Sequence, residues 1–235
     1  METSACRHNS SAALCVSKVP IFNHLTADEM ATIATCTHYA SVNKGESLAT
    51  AGELLDQLFI VHRGKVKIYR LSPIGKEQIV RILTPGDFFG EYGLFDDQPQ
   101  DNYAEALEQT EVCVIRGEDF QRLLEQFPQM ALKLLREMSK RLAMSERLIE
   151  QLSLHSVEQR LAATLLELAH TTADTGQTLT LDISKGELSN YLGMSQETLS
   201  RTLSSFQQRG WIQLVGRRQM VILNEERLKE VIHAS

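Results

Sequence analysis

The chain has 235 residues, of which 43% are hydrophobic, so it is long enough to form one or two domains with real buried cores. Its formal net charge of -6 argues against a protein that binds nucleic acid over its whole surface, although it leaves room for a local basic surface. The first residues lack the apolar segment of a signal peptide, and no stretch approaches the roughly 18–20 apolar residues of a membrane span. We therefore expect a cytoplasmic protein without a membrane partner.

The first segment, residues 1–20, is an extension that carries Cys6 and Cys15, and the two remaining cysteines are Cys36 and Cys113. Four scattered cysteines are too few for a disulfide scaffold. In a reducing compartment such residues are free thiols, metal ligands or redox switches, and their spacing alone leaves all three roles open.

Residues 21–127 have the pattern of an antiparallel β-roll. The segment "LTADEMATIATC" has helical spacing, and Thr26 with Glu29 forms a capping box at its start. After it, "QLFIVHRGKVKIYRL" and "EQIVRIL" alternate apolar and polar residues, as short strands do. Glycines recur roughly every dozen residues, as expected for turns between such strands; they are Gly45, Gly52, Gly64, Gly75 and Gly86.

Residues 128–154 change to a helical period. Apolar positions follow the a/d spacing of a coiled coil, interrupted only by a serine: Leu135, Met138, Leu142, Ser145, Ile149 and Leu152. One interpretation is a long helix packed on its own β-roll. Because the stripe is narrow and sustained, the sequence favours a dimerisation helix.

Residues 155–235 contain the most specific pattern in the chain. Ser184 and Glu187 predict a capping box that opens a short helix, Gly193 ends that helix, and Ser195 caps a second helix from Gln196 to about Gln208. Two helices joined by a tight turn predict a helix-turn-helix. The strands "WIQLV" and "QMVIL", separated by a Gly-Arg-Arg turn, predict a basic-tipped wing.

The second of these helices carries polar residues that suit contact with DNA bases. Gln196, Glu197, Ser200 and Arg201 stand near its N-terminal end, and the last three share one face. Arginine can bind guanine through two hydrogen bonds, and glutamate can accept one from cytosine. An ordinary pair of packed helices would not need this set, so we predict DNA contacts from these four residues and from Arg217 and Arg218 in the wing.

From about Pro20 onward the chain resembles the family of the cyclic-AMP receptor protein and the fumarate–nitrate reduction regulator, the CRP/FNR family. The resemblance rests on the order of the segments and on "GDFFGEYGLF" and "ETLSR". It implies an α+β protein: an N-terminal antiparallel β-roll like a cyclic-nucleotide-binding domain, a long dimerisation helix and a C-terminal winged helix-turn-helix.

The resemblance also implies a function, that of a homodimeric transcription regulator that binds a palindromic promoter site and acts with RNA polymerase. Glu197, Ser200 and Arg201 match the family's base-reading positions. In the cyclic-AMP branch an arginine precedes the glutamate, whereas this chain has Gln196. The match is closer to the fumarate–nitrate branch, whose half-sites contain a TGA core. The sequence leaves activation or repression open, and an activator would suit that branch.

Cyclic AMP is not the expected ligand. In the cyclic-AMP branch an Arg-Ser pair follows the glycine-rich turn, and its arginine balances the cyclic phosphate. This chain has Asp101 and Asn102 at the matching place, which puts a carboxylate near an anion. Like charges brought together in a desolvated site cost several kcal/mol. Glu91 remains, and it suits a ribose hydroxyl.

The resemblance implies a cysteine-based signal instead, a response to oxygen or redox state. Cys113 matches the barrel cysteine that holds an iron–sulfur cluster in the fumarate–nitrate branch, but the closely spaced N-terminal cysteine motif of that branch is missing. Cys6, Cys15 and Cys113 resemble more closely the set in the FNR-like (Flp) regulators of lactic-acid bacteria, in which it implies a dithiol–disulfide switch. A metal role for the same three cysteines, in an iron–sulfur cluster, stays open, as does a plain core role for Cys113.

Three other functional classes are rivals to this interpretation. No nucleophile, base and orienting group assemble from these motifs, and no C-x-x-C pair is present, so an enzyme is not expected. A regulator gated by another small effector in the β-roll is the main alternative. A constitutive DNA-binding protein, with the β-roll as scaffold only, is the other.

Overall fold

A computed structural model describes residues 19–96, 98–171, 178–181, 183–216 and 218–233. The chain divides into two compact units at Ala143 and Met144. Within the described residues, the first unit contains a helix, eight strands and a short 3-10 helix at Tyr92–Leu94, followed by two further helices, and the second unit contains the remaining elements.

The elements of the first unit follow the predicted order. They are α1 (Ala27–Thr35), β1 (Thr37–Val42), β2 (Ser47–Ala49), β3 (Gln57–Arg63), β4 (Val66–Leu71), β5 (Glu77–Leu83), β6 (Phe88–Phe89), β7 (Tyr103–Ala106), β8 (Thr110–Arg116), α2 (Gly117–Gln126) and α3 (Pro128–Leu154). Helix α3 continues past the boundary between the units. The predicted capping box of α1 is present, with Thr26 accepting from the backbone of Glu29 and the Glu29 carboxylate accepting from Thr26.

Two antiparallel sheets form the roll, one in the order β1-β8-β3-β6 and the other in the order β2-β7-β4-β5. Successive side chains of β3 point to opposite faces of its sheet, and both faces are buried. Phe59 and Val61 pack with residues of the other sheet, whereas Leu58 and Ile60 pack with α1, α2 and the first turns of α3. The predicted turn glycines, Gly45, Gly52, Gly64, Gly75 and Gly86, all have the positive φ that glycine tolerates best.

The second unit contains the predicted helix-turn-helix. Its elements are α4 (Val157–Thr171), β9 (Thr178–Thr180), α5 (Lys185–Tyr191), α6 (Gln196–Gln208), β10 (Ile212–Val215), β11 (Gln219–Ile222) and α7 (Glu225–His233). The predicted hairpin β10–β11 is extended by β9 into a sheet of order β10-β11-β9. One apolar core joins the helices to this sheet; it includes Leu165, Leu188, Leu199, Leu203, Phe206 and Ile212.

Candidate nucleic-acid interface and sensor pocket

The turn between α5 and α6 is built from local hydrogen bonds. Ser184 and Glu187 form the reciprocal capping box that opens α5. Gly193, with φ 68°, follows the end of α5, and the Ser195 side chain accepts from the backbone of Thr198 to cap α6. The sequence therefore sets where each helix begins and ends, and the buried leucines set the face that each helix turns inward.

The predicted base-reading residues all lie on the exposed side of α6. Gln196, Glu197, Ser200 and Arg201 are exposed, whereas Leu199 and Leu203 are buried. Arg201 lies 3.4 Å from the Glu197 carboxylate, and both side chains are more than 70% exposed. An ion pair so exposed contributes about 0–1 kcal/mol, so it does not prevent Arg201 from turning to another partner.

Of the two arginines predicted in the wing, the structure describes one. Arg218 is exposed in the turn just before β11, and its carbonyl oxygen accepts a hydrogen bond from the backbone N–H of Leu181 at 2.6 Å. Arg217 lies outside the described residues. Arg209, nearer the end of α6, is held against Glu158 and over the Trp211 ring, which is a role within the second unit.

Helix α3 has two different apolar faces. Met130 and Leu134 are buried in the core of the first unit, and Met138 packs against that core. Leu135, Leu142 and Ile149 are 65%, 62% and 64% exposed, and they repeat every seven residues. Of the apolar stripe predicted from the sequence, Met138 packs on the β-roll unit, whereas Leu135, Leu142 and Ile149 remain exposed.

A pocket opens beside the glycine-rich turn that follows β6. Its lining includes Leu55, Ile68, Arg81, Phe89, Tyr92, Gln100, Asn102 and Tyr103. A Cβ atom at Gly90 would lie 2.1 Å from the Gln57 carbonyl oxygen, and one at Gly93 would lie 2.0 Å from that of Leu55. The turn can approach the chain this closely because both positions are glycine.

Asp101 does not face the pocket, although the sequence analysis expected its carboxylate to lie near a bound phosphate. Its carboxylate is 76% exposed, lies outside the pocket lining and pairs with the Arg70 guanidinium at 3.2 Å, while Arg70 also donates to the Asn102 amide oxygen. The pocket lining does contain a cation, Arg81 of β5. The electrostatic argument against a cyclic phosphate is thus weaker than the sequence indicated, and the exclusion of cyclic AMP stays a prediction.

Glu91, expected to suit a ribose hydroxyl, is instead buried between two arginines. Arg141 of α3 donates to one Glu91 carboxylate oxygen at 2.6 Å, and Arg81 lies 3.6 Å from the same oxygen. Arg141 also donates to the Phe88 carbonyl and lies over the Phe88 ring. Burial, and then the charge of Arg141, lower the pKa of Arg81.

The structure places two of the four cysteines, and neither is in a disulfide. Cys113 of β8 is 2% exposed in the core between the first sheet and the helices, and Cys36 is half-buried at the end of α1. Cys6 and Cys15 lie outside the described residues. A disulfide between Cys113 and either of these residues would need access to the Cys113 sulfur, and the Cys113 side chain is buried.

Among the described residues, no three histidine, cysteine or carboxylate side chains lie close enough together to hold a metal ion. Cys113 alone does not fit an iron–sulfur cluster, whose other proposed ligands fall outside the described residues. In the same part of the chain, no helix is both long enough and apolar enough to cross a membrane.

Arg81 is the pocket residue that the sequence analysis missed. In "EQIVRIL", Arg81 stands two positions before the buried Leu83, on the same side by alternation, while the pairing with β4 shifts register between Ile79 and Arg81. A charged residue at an inward position of a strand was the available signal. The link from Glu91 to Arg141 had no such signal, because it joins positions 50 residues apart.

Comparison with known proteins agrees with both units. The cyclic nucleotide-binding domain family matches residues 39–127, and the Crp-like helix-turn-helix domain family matches residues 159–231. The chain is 36% identical to the "Probable transcriptional regulator flp" of Lacticaseibacillus casei over 92% of this chain and 97% of that protein. It is 32% identical to the "Transcriptional activator protein anr" of Pseudomonas aeruginosa over 90% and 86% of the two chains.

The fold agrees as well. The structure of FixK2 from Bradyrhizobium japonicum superposes with a TM-score of 0.74 and 28% identity, covering 85% of this chain and 98% of that one. The flp and anr relatives are transcription regulators by name, which agrees with the expectation that the chain is not an enzyme. With its β-roll, its helix-turn-helix and its similarity to these regulators along almost the whole chain, the protein belongs to the CRP/FNR family of DNA-binding transcription regulators.

Proposed function

We propose that the protein is a homodimeric regulator that binds a palindromic promoter site with TGA-containing half-sites. The observation that carries the proposal is the exposed N-terminal end of α6, where Gln196, Glu197, Ser200 and Arg201 stand free of the core that holds the helix. A recognition helix contacts base edges with its N-terminal residues.

The chemistry of these side chains fits direct base readout. Arg201 can make a bidentate contact to guanine, and Glu197 can accept from the amino group of cytosine. Arg218, which is exposed in the wing, is proposed to contact phosphate, and Arg217 is proposed for the same role on the sequence alone. Together these residues supply the local basic surface that a chain with net charge -6 needs in order to bind DNA.

The dimer is proposed from helix α3. Leu135, Leu142 and Ile149 form an exposed seam, and two copies of this seam can pack as a coiled coil. Burying one such leucine side chain contributes roughly 1.5–3 kcal/mol. A dimer also matches the two-fold symmetry of a palindromic site.

The signal is proposed to act by shifting this dimer between two states. A change from 1:99 to 99:1 needs about 5.5 kcal/mol of differential stabilisation, which a covalent bridge can supply and one neutral hydrogen bond, at about 0.5–1.5 kcal/mol, cannot. A dithiol–disulfide switch of Cys113 with Cys6 or Cys15 is proposed from the resemblance of these three cysteines to the set in the FNR-like (Flp) regulators. Because Cys113 is buried, this route requires local opening of β8.

A small effector in the β-roll is the second candidate signal. The pocket beside Arg81 favours it, because the ion pair of Glu91 with Arg141 links the turn that frames this pocket to α3. Contact with RNA polymerase and the role of activator are proposed from the family alone.

The test of the proposed function is DNA binding by the Arg201→Ala variant. Fluorescence anisotropy with a palindromic TGA-containing duplex should show a loss of about 1–3 kcal/mol and a relaxed preference at one guanine. Arg227→Ala is the matched control, since Arg227 is also an exposed helical arginine, on α7, and is paired with Glu230. Full sequence preference in Arg201→Ala would show that α6 is not the recognition helix.

A further inference from the structure

Gly186, the second residue of α5, is not required by the backbone of that helix. Its φ is not positive, unlike that of Gly193, which follows the end of the same helix. Glycine is less favourable than alanine inside a helix because its backbone loses more conformational freedom on folding. The reason for a glycine at this position therefore lies in the space around it.

The space beside Gly186 is filled by the side chain of Gln196, the first residue of α6. A Cβ atom at Gly186 would lie 2.8 Å from the Gln196 amide nitrogen and 3.6 Å from the amide carbon. The first of these distances is shorter than ordinary van der Waals contact, which begins at 3.4 Å. The Gln196 amide thus lies in a notch on α5 that exists because residue 186 has no side chain.

The α5 side of this notch is held more firmly than the amide that fills it. The buried Ser189 hydroxyl donates to the Gly186 carbonyl oxygen at 2.7 Å, and the capping box of Ser184 with Glu187 holds the same turn. Gln196 is exposed, and no hydrogen bond joins its amide to another described residue. A methyl group at position 186 would therefore displace the amide and leave the helix in place.

We propose that Gly186 is a positioning residue for base readout, because its notch holds the Gln196 amide in the orientation with which it binds an adenine of the half-site. A glutamine amide can donate to adenine N7 and accept from the N6 amino group at the same time. A side chain that is confined before binding loses less freedom on binding. This role rests on the proposed function, and it adds the base that Gln196 reads and the residue that positions the amide.

A small displacement of the amide is enough to lose this contact. To restore ordinary contact, a methyl group at position 186 must push the Gln196 amide away by at least about 0.6 Å. A hydrogen bond of about 2.9 Å that lengthens by this amount passes out of the normal range of about 2.7–3.2 Å. Since a good bidentate pair discriminates against the wrong base roughly fivefold or more, its loss is measurable.

The test is a base-preference profile of the full chain. Fluorescence anisotropy gives its affinity for a palindromic TGA-containing duplex and for duplexes in which each base pair of both half-sites is exchanged in turn. Gln196→Ala should lower the preference for one A·T pair by roughly fivefold or more. Gly186→Ala should lower the preference at that same pair, while its thermal unfolding midpoint stays unchanged or rises, because alanine suits a helix better than glycine.

The double variant separates an effect through Gln196 from any other effect of the added methyl group. In the Gln196→Ala background, Gly186→Ala should leave the profile unchanged, because the side chain that it displaces is absent. Gln208→Ala is the matched control, since Gln208 is an exposed glutamine at the opposite end of α6, and its profile should match that of the unmodified chain.

Three results would overturn the proposal. They are an unchanged or sharpened preference in Gly186→Ala, an unchanged profile in Gln196→Ala, and an equal loss of affinity for all duplexes when Gly186→Ala is made in either background. The last result would mean that the glycine makes room for the DNA backbone, which the first helix of a helix-turn-helix crosses. Because Arg201→Ala tests the guanine contact, a profile that responds to Arg201→Ala and not to Gln196→Ala overturns the role of Gly186 alone.

Discussion

Cys113 illustrates how burial decides what a single residue can do. Its side chain is 2% exposed and belongs to the core shared by β8, β3 and the helices, together with Ile60, Ile115 and Met130. Disulfide bridging requires Cα atoms within about 4.4–6.8 Å and an accessible sulfur, so a partner from the N-terminal segment must gain access through local opening. A thiol switch here would be slow compared with one at an exposed cysteine.

The first prediction concerns the redox dependence of DNA binding. If Cys113 carries the switch, the difference in DNA affinity between oxidised and reduced protein vanishes in Cys113→Ser, because the bridge cannot form. The measurement is DNA affinity by anisotropy after oxidant and after reductant, with a free-thiol count on each sample.

Cys36→Ser is the control for that measurement, because Cys36 is half-buried outside the core cluster of Cys113. Its redox dependence should match that of the unmodified chain. A serine hydroxyl buried without a hydrogen bond lowers the stability of the fold by about 1–3 kcal/mol. Cys113→Ala is therefore the second variant, because it removes the thiol without burying a hydroxyl group. A redox effect on DNA binding that persists in both Cys113 variants would contradict the proposed disulfide switch and favour a small effector in the β-roll as the signal.

The sequence predicts single residues best where their role is local. Ser184 with Glu187 and Thr26 with Glu29 cap their helices as expected, because each pair interacts over three residues. The environment of Glu91 was not predictable, because its partner Arg141 arrives from a helix 50 residues later. Conversely, Asp101 was assigned to the pocket by its position in a motif, although its side chain turns outward to Arg70.

At the scale of elements, the long helix α3 has apolar residues that pack on the first unit and others that are exposed, and the sequence pattern does not separate the two sets. The same stripe of apolar residues contains Met138, which packs on the first unit, and Leu142, which is 62% exposed. An exposed apolar seam that repeats every seven residues is typical of a helix with a partner.

The prediction at this scale is that Leu142→Glu converts the proposed dimer to a monomer, because it places like charges opposite each other in the proposed seam. Met144→Glu is the control: Met144 is also 62% exposed, but two positions along the helix it points away from the seam. Analytical ultracentrifugation measures both. A dimer that survives Leu142→Glu, or that is lost equally in both variants, would be incompatible with the proposed seam.

Elements with strong local signals were predicted more completely than those held by distant partners. Strand β5 and helix α6 begin and end where the alternation and the caps indicated. Strand β9 was missed because three residues are too short for a periodic pattern, and it exists through its pairing with β11. Helix α7 was also missed, and its buried Leu228 belongs to the core of the second unit.

At the scale of the whole molecule, the chain combines an acidic average with a local basic surface. Formal charge is -6 overall, whereas the segment from Gln196 to Arg218 holds four arginines and one glutamate. Binding through such a surface depends on phosphate contacts, so affinity should fall steeply with salt if many phosphates are contacted. The acidic remainder of the chain should limit binding to DNA that the recognition helix does not fit.

The most direct measurement of the central claim is the stoichiometry of the complex with a palindromic duplex whose two TGA half-sites lie about 34–36 Å apart, one DNA turn centre to centre. Titration monitored by anisotropy, with the mass of the complex determined by light scattering, should give two chains per duplex, and scrambling one half-site should weaken binding sharply. One chain per duplex, or equal affinity for the intact and scrambled sites, would contradict the account.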